Sequence, residues 1–415
     1  MRVLLISFYY PPAGGGGVQR PLKLASHLPR LGIETHVLAP NDPKWIHRDE
    51  QLRPPEAAVL HRARYLGPRG RLPAEELYGR RGLDRLARKI ALAPRRVVLP
   101  DENAPWALMA VPAAIKIVRR AGIDVVITTS PPNSIHLVGA AVQRATGVKW
   151  VADLRDSIIA KPDRRIERLA VRVKERGHAL VGRLVAARAD AVVAATPKIE
   201  EEMSALNPSL RMAMIPNGAD FEDFDGLEYR PDRRFRITHT GSFFGTRDPR
   251  PFLRAVAASD EAVVARFVGD FRAADRDWAN GLGLGDRLEL HPFLPHRRTL
   301  QLQRDSDALL LLLPDVGERG RDVPSGKLFE YLAARRPILA AVPPDGAAAD
   351  LIRRARAGIV TAPDDVDAMR EAIGELVDRW RRGVLEEPSL DEELRVRLGR
   401  FTRSCEFASL LRELA

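Results

Sequence analysis

The sequence predicts an α/β protein built as two successive parallel-sheet domains, on three observations. Short apolar strands alternate with segments of helical period along the whole chain. At 415 residues the chain is too long for one hydrophobic core and fits two. The alternation stops at Ile215-Pro216-Asn217-Gly218-Ala219-Asp220 and then begins again on the same scheme.

The first strand, RVLLIS (2–7), runs into FYYPPAGGGGVQR, and VQRPLKLASHL has helical period. Further strands are expected at ETHVLA (34–39), DVVITT (124–129), KWVAD (149–153), DAVVAA (190–195) and MAMIP (212–216), with SIHLVGAAVQRATG among the helical segments between them. Strands alternating with crossover helices imply a parallel sheet covered on both faces. The stretch DFEDFDGLEYRPDRR is turn-rich and without period, so 217–233 is expected to be a linker. The second half offers RFRITHTG (234–241), ARFVG (265–269), RLELH (287–291), DALLLLLP (307–314), PILAAV (337–342) and AGIVTA (357–362). The expected domains are therefore 1–216 and 234–390, with a final helical stretch from about 391 to 415 packing back on the first. Both would be doubly wound and Rossmann-like, with ligand crevices at the carboxyl ends of the strands. Facing each other, they would form one deep cleft.

Composition narrows the class. With 45% hydrophobic and 29% charged residues the chain has the make-up of a globular protein. A single cysteine, Cys405, excludes an internal disulfide framework and a Cys-based zinc cluster, and a reducing cytosol is the expected compartment. The apolar stretch Val3 to Phe8 ends in Pro-Pro-Ala-Gly and reads as a strand entering a loop rather than a signal peptide. The longest apolar run, Ala308 to Leu313, is far short of the roughly 20 residues of a membrane span.

The net charge of +11 is uneven. Residues 1–216 carry 35 Lys and Arg against 20 Asp and Glu, whereas the remainder carries 31 against 35. The densest part, 60–100, has 11 basic and 3 acidic residues. Such a field attracts an anionic surface or substrate, although arginine-rich composition on a solvated face would give the same count. RLARKIALAPRRVVLP and the stretch 162–188 suit an interface beside anionic lipid. No aromatic stacking surface or helix-turn-helix signal accompanies the basic residues, so nucleic acid is not an expected partner.

Glycines after a buried strand and before a helix let a backbone approach an anion. The dinucleotide fingerprint nevertheless fails, because its third glycine position falls on Gln19 or Arg20, and the second strand ends Leu38-Ala39-Pro40 without an acid. A P-loop fails as well, since Gly326-Lys327 is followed by Leu328. A flexible glycine loop remains, or simply a tight strand-to-helix turn. A second candidate is DVPSGKLFEYLAARRPILA, 322–340, which opens a helix at Pro324-Ser325. The amides of Ser325, Gly326 and Lys327 would point at a phosphate, the Lys327 ammonium would add charge, and Glu330 could accept hydrogen bonds from a ribose diol. Asp322 stands eight residues before Glu330.

An acid-x7-acid element in a helix-opening loop of the second domain resembles the signature of GT-B glycosyltransferases of family 4. PPAGGGGVQR, TSPPNSIH, WVADLRDS, IPNGAD and THTGSFFGTRDPRPFL agree with it in order along nearly the whole chain. The resemblance implies transfer of a sugar from a nucleotide diphosphate donor, usually with retention and without a metal or other cofactor. Carried over by position, Glu330 is similar to the ribose-binding glutamate, and Asp322 stands where the family usually has Glu. Arg247 and Lys327 look like the basic pair that stabilises the departing diphosphate, which builds negative charge as the glycosidic bond breaks. Gly16 and Gly17 resemble loop glycines near the diphosphate or acceptor, and Gly241, Ser242, Ser325 and Gly326 are expected at the donor. Arg155 and Asp156 fall near a catalytic-face position where relatives often carry His. Asp156 would orient or deprotonate the acceptor hydroxyl, or else cap the following helix. Asn217 and Gly218 belong to the hinge.

The expected function is thus a glycosyltransferase of cell-surface polysaccharide or glycolipid synthesis, cytoplasmic or peripheral at the inner face of the membrane. Its partners would be a nucleotide sugar and a glycan or lipid-linked acceptor. A nucleotide-sugar epimerase or hydrolase, and a non-catalytic partner protein on the same fold, are the alternatives. The triplets Asp223-Phe-Asp225 and Asp275-Arg-Asp277 mimic a metal-binding D-x-D but lie in the linker and in a charge-rich helical stretch. The nine histidines show no zinc-ligand spacing, and His136, His239 and His291 read as core or cleft-wall residues.

Overall fold

A computed structural model describes residues 1–41, 43, 47–67, 81–91, 98–159, 169–243, 247–315, 321 and 325–415. The chain divides into two compact units: Met1–Pro216 together with Arg403–Ala415, and Asn217–Thr402.

Seven parallel strands form the sheet of the first unit: β1 (Arg2–Ser7), β2 (Glu34–Asn41), β3 (Ala58–Arg64), β4 (Val125–Ser130), β5 (Lys149–Leu154), β6 (Ala191–Ala194) and β7 (Met212–Met214). Their order is β3-β2-β1-β4-β5-β6-β7. Alternate side chains of β1 serve opposite cores. Leu4 and Ile6 pack with Trp106 and Trp150, while Val3 and Leu5 pack with Leu28 and Phe407. Burial on both faces is why these strands read as apolar runs instead of alternating patterns.

The second unit repeats the plan with β8 (Phe235–Thr240), β9 (Val263–Val268), β10 (Leu288–His291), β11 (Ala308–Leu312), β12 (Ile338–Ala341) and β13 (Gly358–Thr361). The order is β10-β9-β8-β11-β12-β13, again parallel throughout. Leu309 and Leu311 face a core with Leu328 and Tyr331, and Leu310 and Leu312 face one with Phe252. Each unit is therefore Rossmann-like and doubly wound, and the strand order reverses between β1 and β4 and between β8 and β11. Loops leaving those strands diverge at their carboxyl ends, which opens a crevice.

Three features depart from the sequence reading. Strand β3, AVLHRAR, is absent from it: as an edge strand only Ala63 is buried, so it carries no apolar run. The segment 217–233 is part of the second unit, with a 3-10 turn at Phe221–Phe224 whose Phe224 enters the core. The final stretch is two helices, Glu392–Leu398 and Arg400–Leu414, separated at Gly399 in extended conformation. The break arises because Ala219 donates to the Leu398 carbonyl at 2.8 Å and accepts from the Arg400 N–H at 2.9 Å, which draws the backbone into a bridge. Leu394 and Leu398 belong to the core of the second unit, and Phe407, Ala408, Leu410 and Leu411 to that of the first. Residues 68–80 and 92–97 of the basic stretch 60–100, and residues 160–168, lie outside the described residues.

Candidate active site

In the second unit the crevice is set by the loops after β8 and β11. Gly241 ends β8 with φ of 106°, a conformation that L side chains rarely adopt. A Cβ there would lie 2.6 Å from Lys327 Cε and 2.9 Å from its Nζ. The missing side chain is thus the space in which the Lys327 ammonium rests against the β8 loop. Gly269, after β9, approaches as closely from the other side, its Cβ position being 2.8 Å from the Gly241 carbonyl carbon.

Lys327 is carried by the helix Gly326–Ala334, whose N-cap is Ser325. The Ser325 hydroxyl accepts from the Lys327 N–H at 3.4 Å, and a side chain at Gly326 would meet open space. Such a helix start presents unpaired amides and a positive dipole end. Pro324 and Asp322 lie outside the described residues.

Arg247 faces the same place from the β8 loop. Burial lowers its affinity for a proton, and burial together with the Arg247 charge pushes the Lys327 ammonium down to about 7, against a smaller pull upward from Glu330. Among the described residues neither cation makes an ion pair or side-chain hydrogen bond. Two neighbouring positive groups, offset only by the weaker field of Glu330, form a site complementary to an anion.

His239 sits beneath this pair. It is fully buried, and burial and Lys327 hold its imidazole well below the usual range, so the ring is neutral. Its Nδ1 donates to the Leu310 carbonyl at 2.9 Å, and Nε2 is buried without a partner among the described residues. The ring adds no third charge to the pair.

Glu330 lies one turn beyond Lys327. Burial alone would raise its carboxyl, but hydrogen bonds from His296 at 3.4 Å and Gln303 at 3.2 Å, with the field of Arg400, outweigh burial and keep it ionised. Gln303 also donates to the Thr240 hydroxyl at 2.9 Å, which ties the carboxylate to the end of β8. His296 and Gln303 were not singled out in the sequence; they sit on His296–Arg304, and only the fold brings that helix to Glu330. Ser242, expected at the donor, accepts from the Asp270 N–H at 3.1 Å and joins the loops after β8 and β9.

The first unit has a comparable crevice after β1 and β4. Gly16 is exposed, a side chain there would meet open space, and a Cβ at Gly17 would lie 3.7 Å from the Tyr9 ring. Arg155, following β5, donates to the Gly17 carbonyl at 2.6 Å and the Ser130 carbonyl at 2.5 Å. It fastens the glycine loop to the end of β4, and its other terminal nitrogen is buried without a partner among the described residues. Asp156 is exposed beside it. The buried carboxylate is Asp153, three residues earlier within β5. It pairs with Arg20 at 2.8 Å and accepts from Thr129 at 2.7 Å, while Arg20 also donates to the carbonyls of Ile215 and Pro216 at 2.9 Å. No spacing rule reveals that pair, because its members stand 133 residues apart.

The two D-x-D triplets differ in setting. Asp275 is buried, and its oxygens are taken by Arg250 and Arg272. The carbonyls of Asp223 and Asp225 accept from Arg297.

Residues 15–218 match the family model for the glycosyl transferase 4-like domain. No curated protein sequence matches the chain. Among solved structures, the chain is similar to sucrose-phosphate synthase from Thermosynechococcus elongatus, with a TM-score of 0.63, 16% identity, and coverage of 100% of this chain and 98% of that one. It is similar also to Anabaena HepE in complex with UDP-glucose, with a TM-score of 0.63, 14% identity and complete coverage of both chains. A putative UDP-N-acetylglucosamine 2-epimerase from Listeria monocytogenes aligns with a TM-score of 0.57, 12% identity, and coverage of 99% and 95%. Residues 15–218 are a glycosyl transferase 4-like domain, and the whole chain has the GT-B fold of glycosyltransferases.

Proposed function

We propose that this protein is a glycosyltransferase that moves a sugar from a nucleoside diphosphate sugar to a glycan or lipid-linked acceptor. The observation that carries the reading is the Arg247–Lys327 pair, which has no ion-pair partner among the described residues and is lodged over Gly241 at the mouth of the second sheet. As the bond from the anomeric carbon to the diphosphate oxygen breaks, its electron pair moves onto the diphosphate, and two fixed cations stabilise that charge more than they stabilise the intact donor. The acceptor hydroxyl oxygen forms the new bond to the anomeric carbon and gives its proton to the departing diphosphate oxygen. Glu330, ionised and held by His296 and Gln303, is placed to accept from a ribose diol. The UDP and UDP-glucose bound to HepE support a uridine nucleotide as the donor. Retention at the anomeric carbon and independence of metal are part of the proposal, as is acceptor binding by the first unit, where Arg155 braces the glycine loop.

A lipid-linked acceptor at the inner face of a membrane fits the helix Gly82–Ala91. Its Leu83, Leu86 and Ile90 share one face and are 84%, 52% and 64% exposed, interleaved with Arg85 and Lys89. We place the protein in the cytoplasm and peripheral to that membrane, in cell-surface polysaccharide or glycolipid synthesis.

The test is a thermal-shift panel of nucleotide sugars on the full chain, repeated with Glu330→Ala. A hit whose stabilisation drops sharply in the variant supports the donor site, and a hit unaffected by it places the donor elsewhere. Likeness to the epimerase structure supports a second reading. Turnover of the donor to a free epimeric sugar or nucleotide without any acceptor would favour it over transfer.

A further inference from the structure

Arg247 belongs to a loop that must hold one cation close to another, and nothing in their mutual charge favours that placement. What holds the loop is visible in the residues behind it. Arg272 donates to the backbone carbonyl of Arg247 at 2.8 Å. The Arg272 guanidinium is in turn fixed by the carboxylate of Asp275, whose other oxygen takes the guanidinium of Arg250 at 3.1 Å. Asp275 is only 2% exposed, and Arg250 leans on the Trp278 ring at 5.4 Å. The carboxylate therefore joins the helix Ala273–Asn280 to the β8 loop through two arginines.

We propose that Asp275 is a positioning residue for the anion site: acting through Arg272, it sets the backbone of Arg247 and so the distance between the Arg247 and Lys327 cations. This rests on the reading of that pair as a diphosphate site. A neutral side chain at 275 would leave Arg272 without its charge-assisted anchor, and the Arg247 loop would relax away from Lys327. The nucleoside end of the donor, recognised at Glu330, would be untouched.

The experiment compares the full-length protein with Asp275→Asn, Arg247→Ala and the double variant. Affinity is measured for whichever of UDP, GDP, ADP and dTDP gives the largest thermal shift, and for its parent nucleoside. Asp275→Asn is expected to weaken the diphosphate by about fivefold and the nucleoside by less than about twofold, and to add nothing once Arg247 is gone. Losses that add in the double variant, or that fall equally on the nucleoside, would show a merely structural role and overturn the proposal. If Asp275→Asn does not fold, Arg272→Lys serves instead; it keeps a cation beside Asp275 but cannot hold both the carboxylate and the carbonyl in the same geometry. Should none of the four diphosphates bind the unaltered protein, the diphosphate reading itself falls. If they bind and Arg247→Ala weakens them while Asp275→Asn and Arg272→Lys do not, only the positioning role falls.

Discussion

Raising the pH from 7 to 8 should weaken nucleoside diphosphate binding through one group, Lys327. Burial and then Arg247 bring its ammonium down to about 7 in the empty site. About half of the molecules are then neutral at that position at pH 7 and about nine-tenths at pH 8. A bound diphosphate favours the ammonium, so its binding raises the depressed value and takes up a proton, about 0.5 at pH 7 and about 0.9 at pH 8. Linkage fixes the sign: affinity falls as pH rises through the value of the free site, by about fivefold over this unit. The last ionisation of a phosphate lies near pH 6, so the ligand itself changes little across the window. Calorimetric titration of UDP in two buffers of different ionisation heat reads both the affinity and the proton count. In Arg247→Ala the uptake should shrink, because Lys327 loses the second cause of its lowered value and is protonated in a larger share of the molecules before binding, burial alone remaining. Equal affinity at the two pH values with no proton uptake would refute the placement of Lys327 against the diphosphate.

Lys327→Met should raise the stability of the ligand-free protein by about 1–2 kcal/mol, since it removes a buried charge next to a second one, while diphosphate binding is lost. The same logic gives a pH signature in denaturant melts. Between the unfolded value of 10.5 and about 7, the unfolded chain binds a proton that the folded one does not. The Lys327 contribution therefore falls with falling pH in that window, and the Met variant should lack that slope. Asp153→Ala should cost about 3–5 kcal/mol in a urea melt, because Arg20 stays buried with carbonyl acceptors alone. Replacing Leu83, Leu86 and Ile90 together with serine should abolish co-sedimentation with vesicles containing phosphatidylglycerol at low salt while leaving the melting temperature unchanged, and binding that persists would remove the helix Gly82–Ala91 from the membrane surface.

How much of this was legible in the sequence depended on how local each signal is. Of the twelve strands that could be read, the central ones are buried on both faces and stand out as compact apolar runs, whereas the half-buried edge strands β7, β10 and β13 were read from short apolar segments between turns. β3 escaped because its edge position leaves arginine and histidine in the strand. The helix start at Ser325 was readable from a cap and glycine, and Lys327 and Glu330 follow two and five residues after it. The supporting residues were not readable. Gln303 reaches Glu330 across 27 residues, His296 across 34, and Arg20 reaches Asp153 across 133. Asp156 drew attention for standing at the end of a strand, but the side chain next to it, Arg155, makes the connection to the glycine loop. Asp275 stood out in the sequence only as half of an incidental triplet, since its role depends on two arginines that the fold delivers.

The break at Gly399 leaves residues 403–415 in the core of the first unit. During synthesis, Pro216 emerges 187 residues ahead of residue 403. At translation rates of about 5–20 residues per second, the first sheet must then wait about 10–40 s with one apolar face incompletely covered. The cluster that holds Val3, Leu5 and Ile215 is completed only when Phe407 and Leu411 arrive. The order of folding on the ribosome would thus be inverted, with the second unit complete before the first, and the newborn first unit would be the natural client of a holding chaperone.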